Sequence, residues 1–205
     1  MSKLIDSKHE VRHVIAEVRA DQESRLVEGY ALLFDTPSDR MPYEEVIDKR
    51  ALDGVIEKSD IFALLNHDKG RGILARSING NGSLALEVDE RGLKYLFEAP
   101  KTSLGDELLE NLRRGEITES SFGFTVETDE ITRNDDGTIK RVIKKFDRLY
   151  DVSPVYTAAY SATNVYARSV EDMERELIEL DKRTKEEEKV EVPNNYYEEL
   201  EEKFK

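Results

Sequence analysis

Short segments in which every second residue is apolar recur along most of this chain, separated by clusters of Gly, Asn and Asp. The clearest example is a pair of segments, Leu84–Val88 and Leu93–Phe97, on either side of the turn sequence at residues 89–92. Alternation with a period of two is typical of β-strands that bury one face. Many short strands with regular turns predict a mainly β (α+β) fold, an antiparallel barrel or sandwich, rather than a parallel wound sheet.

The rest of the pattern adds further strands and two helices to this hairpin. Continuous apolar Ile61–Leu65 predicts a buried strand that delivers His67 at its end. Helical spacing predicts a helix over residues 104–114, ended by Gly115, and a shorter helix of about two or three turns around Leu52–Ile56. The other predicted strands are Val11–Val18, Val27–Phe34, Gly72–Arg76, Thr125–Thr132, Ile139–Tyr150, Val152–Tyr156 and Asn164–Ala167.

Charge and composition exclude several classes of function. Charged residues make up 37% of the 205 positions and the formal net charge is -14, which disfavours binding to nucleic acid or to an anionic membrane surface. The chain has no cysteine, which excludes disulfides, thiolate catalysis and zinc ligation by cysteine, and a cytosolic location is expected. No apolar run reaches the roughly 18 residues that a membrane span requires, and no signal sequence is expected.

The composition changes at Val170, and a separate segment is expected from there onward. Residues 171–205 contain 14 acidic and 7 basic side chains. A narrow apolar stripe with the spacing of a coiled coil begins the segment. Its members are Val170, Met173, Leu177 and Leu180. The sequence therefore predicts one β-rich domain over residues 1–169 and a charged helical extension over residues 170–205 that serves association or tethering.

A pair of serines before Phe-Gly-Phe is the first candidate for chemistry. The predicted helix over residues 104–114 leads directly into the apolar stretch Ile117–Val126, which contains Ser120 and Ser121. Neighbouring side chains of a strand point to opposite faces, so only one of the two hydroxyl groups can meet a given partner. Ser121 shares its face with Gly123, whose missing side chain would leave room for a substrate backbone. The alternative is a serine that only fills the sheet.

A serine nucleophile needs a base, and the chain has 3 histidines. His9 lies in a charged start and is expected to be exposed, and His13 lies within a strand pattern and is expected to be structural. His67 follows a buried strand, where it is either a structural or a catalytic imidazole. An acid would orient the base, and Asp147 and Asp151 both lie near a strand end, where a surface carboxylate is the alternative.

A metal-dependent hydrolase built on His67, Asp68 and other acids is a further alternative. One histidine with scattered carboxylates gives no recognisable ligand spacing. Nucleophilic catalysis by a serine needs neither a metal nor an organic cofactor, and none is expected.

A set of short stretches in a fixed order carries more information than any one of them. They are Val27–Ala31, Ala51–Leu52 before an apolar strand, Asn66–Asp68, Leu108–Gly115, Ser121–Phe124 and Tyr150–Val155. In residue identity and order they resemble the prohead (capsid maturation) proteases of tailed double-stranded DNA bacteriophages, which are serine peptidases related to the herpesvirus assemblins. The resemblance spans about residues 25–169. Residues 157–160 depart from it, because relatives often have a proline shortly after the Ser-Pro-Val stretch.

This resemblance implies a compact antiparallel β-barrel with flanking helices, of the herpesvirus-protease type. It implies His67 as the general base and Ser121 as the nucleophile. The herpesvirus relatives use a second histidine after the serine, and this chain has none there. A carboxylate is therefore expected in that place, and Asp151 fits the acidic position of the phage motif better than Asp147.

The resemblance also implies a function. The expected activity is that of a serine endopeptidase that cleaves segments of scaffold or major capsid proteins, and itself, during prohead maturation. The expected location is the host cell cytoplasm, inside the assembling procapsid, with self-association through the C-terminal helix. The alternative is a catalytically silent assembly or scaffold module with the same fold. The distance between Ser121 and His67 is the feature that distinguishes the two.

Overall fold

Among the described residues, more of the chain lies in strands than in helices. The computed structural model describes residues 9–14, 18–20, 24–38, 41–156 and 170–188. Contacts between Cα atoms divide the chain into two units, Met1–Ala167 and Arg168–Lys205, and each is described by itself. The strands of the first unit are β1 (Glu10–Val14), β2 (Val18–Ala20), β3 (Leu26–Leu33), β4 (Glu44–Ile47), β5 (Asp60–Ala63), β6 (Ala75–Ile78), β7 (Asn81–Gly82), β8 (Ala85–Val88), β9 (Gly92–Glu98), β10 (Ile117–Arg133) and β11 (Ile139–Tyr156).

The larger sheet is built around β10 and β11, two long antiparallel neighbours. Its order is β1-β10-β11-β5-β6-β7, and β4 pairs with the beginning of β11. Strands β4 and β5 both run parallel to β11, and the other pairs are antiparallel. Strand β10 therefore lies between β1 on one side and β11 on the other.

The smaller sheet contains the predicted hairpin, which is confirmed as β8 and β9. Its order is β2-β3-β9-β8, with antiparallel pairing throughout. The carboxylate of Asp89 accepts hydrogen bonds from the backbone N–H groups of Arg91 and Gly92, which closes the hairpin turn.

The prediction of a mainly β fold with helices is confirmed, but the prediction of an entirely antiparallel arrangement is wrong. The parallel pairing of β4 and β5 with β11 was not expected. Across the described ranges, no strand pairing joins the two sheets, so their hydrogen-bonded ladders do not close into a barrel. Strand direction depends on which segments meet in space, and a strand's own alternation does not contain that information.

Apolar side chains from both sheets meet in one core. The rings of Phe122, Phe124 and Phe146 stack with centroid separations between 4.5 and 6.1 Å. Tyr95 of β9 is fully buried in the same core. Burying an aromatic side chain of this size contributes on the order of 2 kcal/mol. Strand β10 is thereby fixed against the smaller sheet by its even-numbered residues.

The predicted helix before the serine stretch is confirmed as α1 (Ser103–Arg114). The Thr102 hydroxyl group accepts a hydrogen bond from the N–H of Gly105 and caps the first turn. Gly115 ends the helix in the left-handed conformation with φ of 73°, which only glycine adopts at little cost. Because this residue reverses the chain, β10 begins at Ile117 and the helix leads directly into the serine strand.

The predicted helix around Leu52–Ile56 is wrong. This segment forms turns followed by a single 3₁₀ turn, Ile56–Lys58. Leu52 and Val55 are buried, as the apolar pattern required. Gly54, with φ of 68°, takes a left-handed conformation that is incompatible with a continuing α-helix.

The second unit is described as one helix, α2 (Val170–Glu188), at the predicted start of the extension. Ile178 and Leu180 on its surface are exposed. In the described part of the chain, no helix is long and apolar enough to span a membrane. The predicted strand Asn164–Ala167 and residues 189–205 of the extension lie outside the described residues.

Candidate active site

The two neighbouring serines of β10 point to opposite faces of the sheet, as their positions in a strand predict. The hydroxyl group of Ser120 lies 2.9 Å from that of Tyr95, inside the core. The hydroxyl group of Ser121 lies on the other face, 2.5 Å from Nε2 of His67. Burial raises the pKa of the Tyr95 hydroxyl group above its ordinary value, so this partner of Ser120 stays protonated and neutral.

His67 reaches β10 from a tight loop after β5. Asn66 and His67 both have positive φ, 55° and 58°, a conformation that is uncommon outside glycine. Backbone hydrogen bonds hold this loop on β11: the N–H of Asn66 donates to the carbonyl oxygen of Pro154, and the N–H of Tyr156 donates to Oδ1 of Asn66, each at 3.1 Å. The strained backbone is held at Asn66, next to the residue that carries the imidazole.

Asp151 lies on the other side of the imidazole. Its Oδ1 atom is 2.5 Å from Nδ1 of His67, and it also accepts a hydrogen bond from the Ser153 hydroxyl group at 2.6 Å. Asp151 and Ser153 are two positions apart on β11, so their side chains share a face. In the sheet they lie opposite Gly123 and Ser121, respectively.

Asp147, the alternative acid, lies elsewhere. Its carboxylate accepts a hydrogen bond from the Thr125 hydroxyl group at 3.3 Å and lies 4.0 Å from Nζ of Lys58. Of the two candidate acids, the structure brings Asp151 to His67.

Gly123 has a different use from the predicted one. A Cβ atom at this position would lie 2.5 Å from Oδ2 of Asp151 and 2.8 Å from Nε2 of His9. The space that the missing side chain leaves is occupied by the Asp151 carboxylate and the His9 ring. Glycine is therefore required here for the acid to approach the strand, and the expected room for a substrate backbone is not what it provides.

The three groups form a connected chain of hydrogen bonds with one accessible member. The Ser121 side chain is fully buried and that of Asp151 is 8% exposed, whereas that of His67 is 22% exposed. An imidazole that contacts a hydroxyl group with one nitrogen and a carboxylate with the other is arranged for proton transfer from the hydroxyl group. The arrangement can support attack by a serine oxygen on a carbonyl carbon.

The other two histidines are His9 and His13. His9 is exposed, as predicted, and its ring packs edge-on against Tyr150 with centroids 4.9 Å apart. His13 lies in β1 opposite Ser121, and its side chain lies outside the described residues. Asp68, suggested as a metal ligand, instead accepts a hydrogen bond from the N–H of Gly70 and caps a 3₁₀ turn. Among the described residues, no group of three His, Asp or Glu side chains is placed to hold a metal ion.

A buried ionic cluster lies on the opposite face of β10. Its members are Glu10 and Arg12 of β1, Glu45 of β4, Asp129 of β10 and Arg141 of β11. Nε and Nη2 of Arg12 contact the two carboxylate oxygens of Glu45 at 2.5 and 2.9 Å. Arg141 contacts Glu10, Glu45 and Asp129 at 2.7 to 3.0 Å. The cluster therefore joins β10, the strand that carries Ser121, to three other strands.

The opposite charges of this cluster keep one another ionised. Burial opposes ionisation of Glu45, but the adjacent guanidinium groups of Arg12 and Arg141 lower the pKa of its carboxyl group below the ordinary value. Burial likewise opposes the charge on both arginines, and the surrounding carboxylates nevertheless raise the pKa of each guanidinium group. All three side chains are therefore charged in the folded protein.

Two residues that touch the site were not among the predicted ones. Ser153 could have been found from alternation, because it lies two positions after Asp151 on the same strand. Arg12 could not, because its carbonyl oxygen accepts a hydrogen bond from the Ser121 hydroxyl group at 2.7 Å across 109 positions of sequence. Only the pairing of β1 with β10 brings them together.

Comparison with known proteins agrees with this geometry. The structure is similar to the solved structure of the bacteriophage T4 capsid assembly protease, gp21, with a TM-score of 0.50 and 13% sequence identity, over 75% of this chain and 100% of that one. At this identity the similarity concerns the fold. No curated protein sequence matches the chain significantly. The model of the caudovirus prohead serine protease family matches residues 12–176, most of the chain. The chain belongs to the caudovirus prohead serine protease family.

Proposed function

We propose that this serine protease uses Ser121 as its nucleophile, His67 as its general base and Asp151 as the acid that orients the base. The proposal rests on two contacts of the His67 imidazole. One of its nitrogens lies 2.5 Å from the Ser121 hydroxyl group, and the other lies 2.5 Å from the Asp151 carboxylate. Membership of the prohead serine protease family supports the same chemistry.

The reaction follows from these contacts. As the Ser121 oxygen attacks the carbonyl carbon of a peptide bond, Nε2 of His67 takes the hydroxyl proton. The tetrahedral intermediate collapses when the imidazolium gives that proton to the leaving amine, and a water molecule then hydrolyses the acyl-enzyme by the same route. Asp151 accepts a hydrogen bond from Nδ1–H and stabilises the imidazolium. The Ser153 hydroxyl group keeps the carboxylate in the required orientation.

The proposed substrates are segments of the scaffold and major capsid proteins of a phage prohead, and the protease itself. The family description and the name of the T4 protease support this substrate class. We further propose that the enzyme acts in the host cytoplasm, inside the assembling procapsid. We also propose that the two sheets, although their ladders do not close, are the counterpart of the barrel in the herpesvirus-type proteases.

Mass spectrometry of the full chain incubated with its capsid and scaffold proteins tests the function. We expect defined new protein termini with the wild type and with Ser120→Ala, whose side chain contacts Tyr95 rather than the base. We expect none with Ser121→Ala or His67→Ala, because members of such a site act as a unit and each loss costs roughly 10⁴-fold or more. New termini in both Ser121→Ala and His67→Ala would contradict the roles proposed for Ser121 and His67.

A catalytically silent assembly module with this fold is the competing function. The 2.5 Å contact between Ser121 and His67 favours the enzyme, because a silent module has no use for it. If the wild type produces no new termini and a fluorophosphonate reagent labels Ser121 neither in the wild type nor in a folded Arg12→Lys variant, the silent module is the better description.

We propose a separate role for the extension, residues 170–205, in association with itself, the scaffold or the capsid protein. Helix α2 is highly charged and exposes Ile178 and Leu180, and an isolated helix of this kind is marginal in water without a partner. A truncation after Ser169 tests this role. Cleavage of a small peptide should persist while incorporation into procapsids falls. Loss of peptide cleavage together with unfolding would show that the extension belongs to the folded core.

A further inference from the structure

Strand β1 lies at the edge of the larger sheet and pairs with the strand that carries Ser121. The pairing is antiparallel, with Arg12 opposite Phe122 and His13 opposite Ser121. The Ser121 hydroxyl group donates a hydrogen bond to the carbonyl oxygen of Arg12 at 2.7 Å. The peptide group that joins residues 12 and 13 therefore lies against the oxygen that would attack a substrate.

This contact competes with His67 for the proton of the hydroxyl group. The hydroxyl group of Ser121 has one proton, and a proton directed at the Arg12 carbonyl oxygen is not available to His67. A substrate carbonyl oxygen, in contrast, accepts hydrogen bonds from oxyanion-stabilising donors rather than from the nucleophile. Peptides commonly bind to proteins by adding an extended strand to a sheet edge. Strand β1 occupies the edge of β10 where such a peptide would have its carbonyl group beside Ser121.

The side chain of Arg12 fills a pocket that is built to recognise a cation. Two of its nitrogens contact both oxygens of Glu45, the paired geometry by which carboxylates bind guanidinium groups. Its guanidinium carbon lies 5.5 Å from the ring centroid of Phe124. Without β1, the pocket retains the carboxylates of Glu45 and Asp129 and the single cation of Arg141. One negative charge is then left for an incoming basic side chain.

Two buried side chains of β1 also differ from those of β10 in the core. Glu10 and Arg12 are charged, whereas Phe122 and Phe124 of the neighbouring strand are apolar. Glu10 and Arg12 regain their hydration in water, and a basic side chain of a bound peptide would take the place of Arg12 beside Glu45, so that no buried carboxylate is left uncompensated. Neither Glu10 nor Arg12 therefore brings an apolar ring into water when β1 is displaced.

We propose that the outer edge of β10 is the substrate-binding edge of the protease, that it selects an extended peptide with arginine or lysine on the amino side of the attacked bond, and that β1 occupies this edge as an internal competitor. The inference rests on the proposed function, since it requires Ser121 as the nucleophile. Residues 10–14 must leave before a substrate strand binds. The tether gives β1 a high effective concentration, so a free peptide competes only after β1 has been weakened.

The test measures the rate at which a fluorophosphonate reagent labels Ser121, followed by intact mass. The double variant Glu10→Gln/Arg12→Met removes one negative and one positive charge, so the net charge of the cluster is unchanged while β1 loses its anchor. We expect labelling to rise about tenfold or more, because β1 no longer holds the hydroxyl group. The matched control is Arg19→Gln/Glu28→Gln, which removes an ion pair between strands of the smaller sheet and should label like the wild type.

Peptides then test the pocket in the double variant. A synthetic peptide with the sequence of residues 9–16 should slow labelling, and so should the same peptide with lysine in place of the arginine. The peptide with glutamate at that position should not, because Glu45 repels it. Equal labelling rates in the wild type and the double variant, or equal competition by all three peptides, would overturn the proposal.

Two further measurements distinguish failure of this proposal from a wrong nucleophile and from an unfolded variant. If the reagent labels the wild type, the double variant and Ser121→Ala alike, the proposed nucleophile itself is wrong, which is a different failure. If circular dichroism shows that the double variant is unfolded, Arg12→Lys replaces it. This variant keeps the charge but loses the paired contact with Glu45, and it should raise labelling about threefold. An unchanged rate in that folded variant would count against β1 as a competitor.

Discussion

The two faces of β10 carry two groups of ionisable side chains that differ in access. On one face, His67 stands between Ser121 and Asp151, and 22% of its side chain is exposed. On the other face, the buried ionic cluster joins five charged side chains, none more than 7% exposed. The first group has a chain of contacts that a proton can follow from Ser121 through His67 towards Asp151, whereas the second gives each charge at least one ionic partner.

The difference shows what each arrangement is suited for. A site that transfers protons to and from a substrate needs a side chain that the substrate can reach, and the imidazole of His67 is accordingly part exposed. A cluster that fixes strands needs each buried charge compensated, because an uncompensated one costs several kcal/mol. Both groups are held by β10, and Arg12 belongs to the second by its side chain and contacts the first by its carbonyl oxygen. Variants that damage one face should therefore have effects unlike those that damage the other.

The largest expected effect is on the catalytic face. Asp151→Asn should lower kcat by roughly 10²- to 10⁴-fold with little change in thermal stability, because the amide no longer fixes the tautomer of His67. Asp147→Asn is the control and should have a much smaller effect, since this carboxylate contacts Thr125 instead. Steady-state kinetics on a peptide substrate measures both. A reversed order would assign the acid's role to Asp147.

The corresponding change on the other face should act on stability. Arg141→Met leaves the carboxylates of Glu10, Glu45 and Asp129 buried with one cation fewer, and should lower the free energy of unfolding by about 3–5 kcal/mol. The control is Arg76→Met, which breaks an ion pair with Asp60 whose side chains are 42% and 44% exposed. That loss should stay below about 1 kcal/mol. Urea unfolding gives both values, and equal losses would mean that the cluster does not stabilise the fold.

A smaller effect is expected from Gly123→Ala. The added Cβ would lie 2.5 Å from Oδ2 of Asp151, so the carboxylate must move away from its place beside His67. We expect kcat to fall about 10- to 100-fold while the fold is retained, since a small misplacement of a catalytic group has this cost. Kinetics with a circular dichroism control checks it. Unchanged kcat would show that the acid tolerates displacement.

The smallest expected effect is a dependence of stability on acid pH. The pKa of Glu45 is lowered from its ordinary value of 4.5, so its ionised form stabilises the folded state above that pH. This contribution is lost as the pH falls through the lowered folded-state pKa. Thermal unfolding of the wild type and of Glu45→Gln between roughly pH 3 and pH 7 should show a difference that shrinks on acidification. A difference that grows on acidification would contradict the charge state assigned to the cluster.

The sequence by itself determined the local features. Alternation at Leu84–Val88 and Leu93–Phe97 specified the hairpin, and helical spacing before Gly115 specified α1. Alternation also places Ser120 and Ser121 on opposite faces of their strand. These features depend on residues a few positions apart, whose geometry follows from a regular backbone. The resemblance of ordered motifs to the phage proteases then indicated His67, Ser121 and Asp151 together.

Only the tertiary structure decided which distant segments meet. Three features differ from what the sequence patterns predict. They are the parallel pairing of β4 and β5 with β11, the left-handed turn at Gly54 and the closeness of Gly123 to Asp151. The contact of Ser121 with the Arg12 carbonyl oxygen and the buried ionic cluster were not foreseen at all. Pairing between strands far apart in sequence depends on the whole chain closing around one core, and no local pattern records that choice.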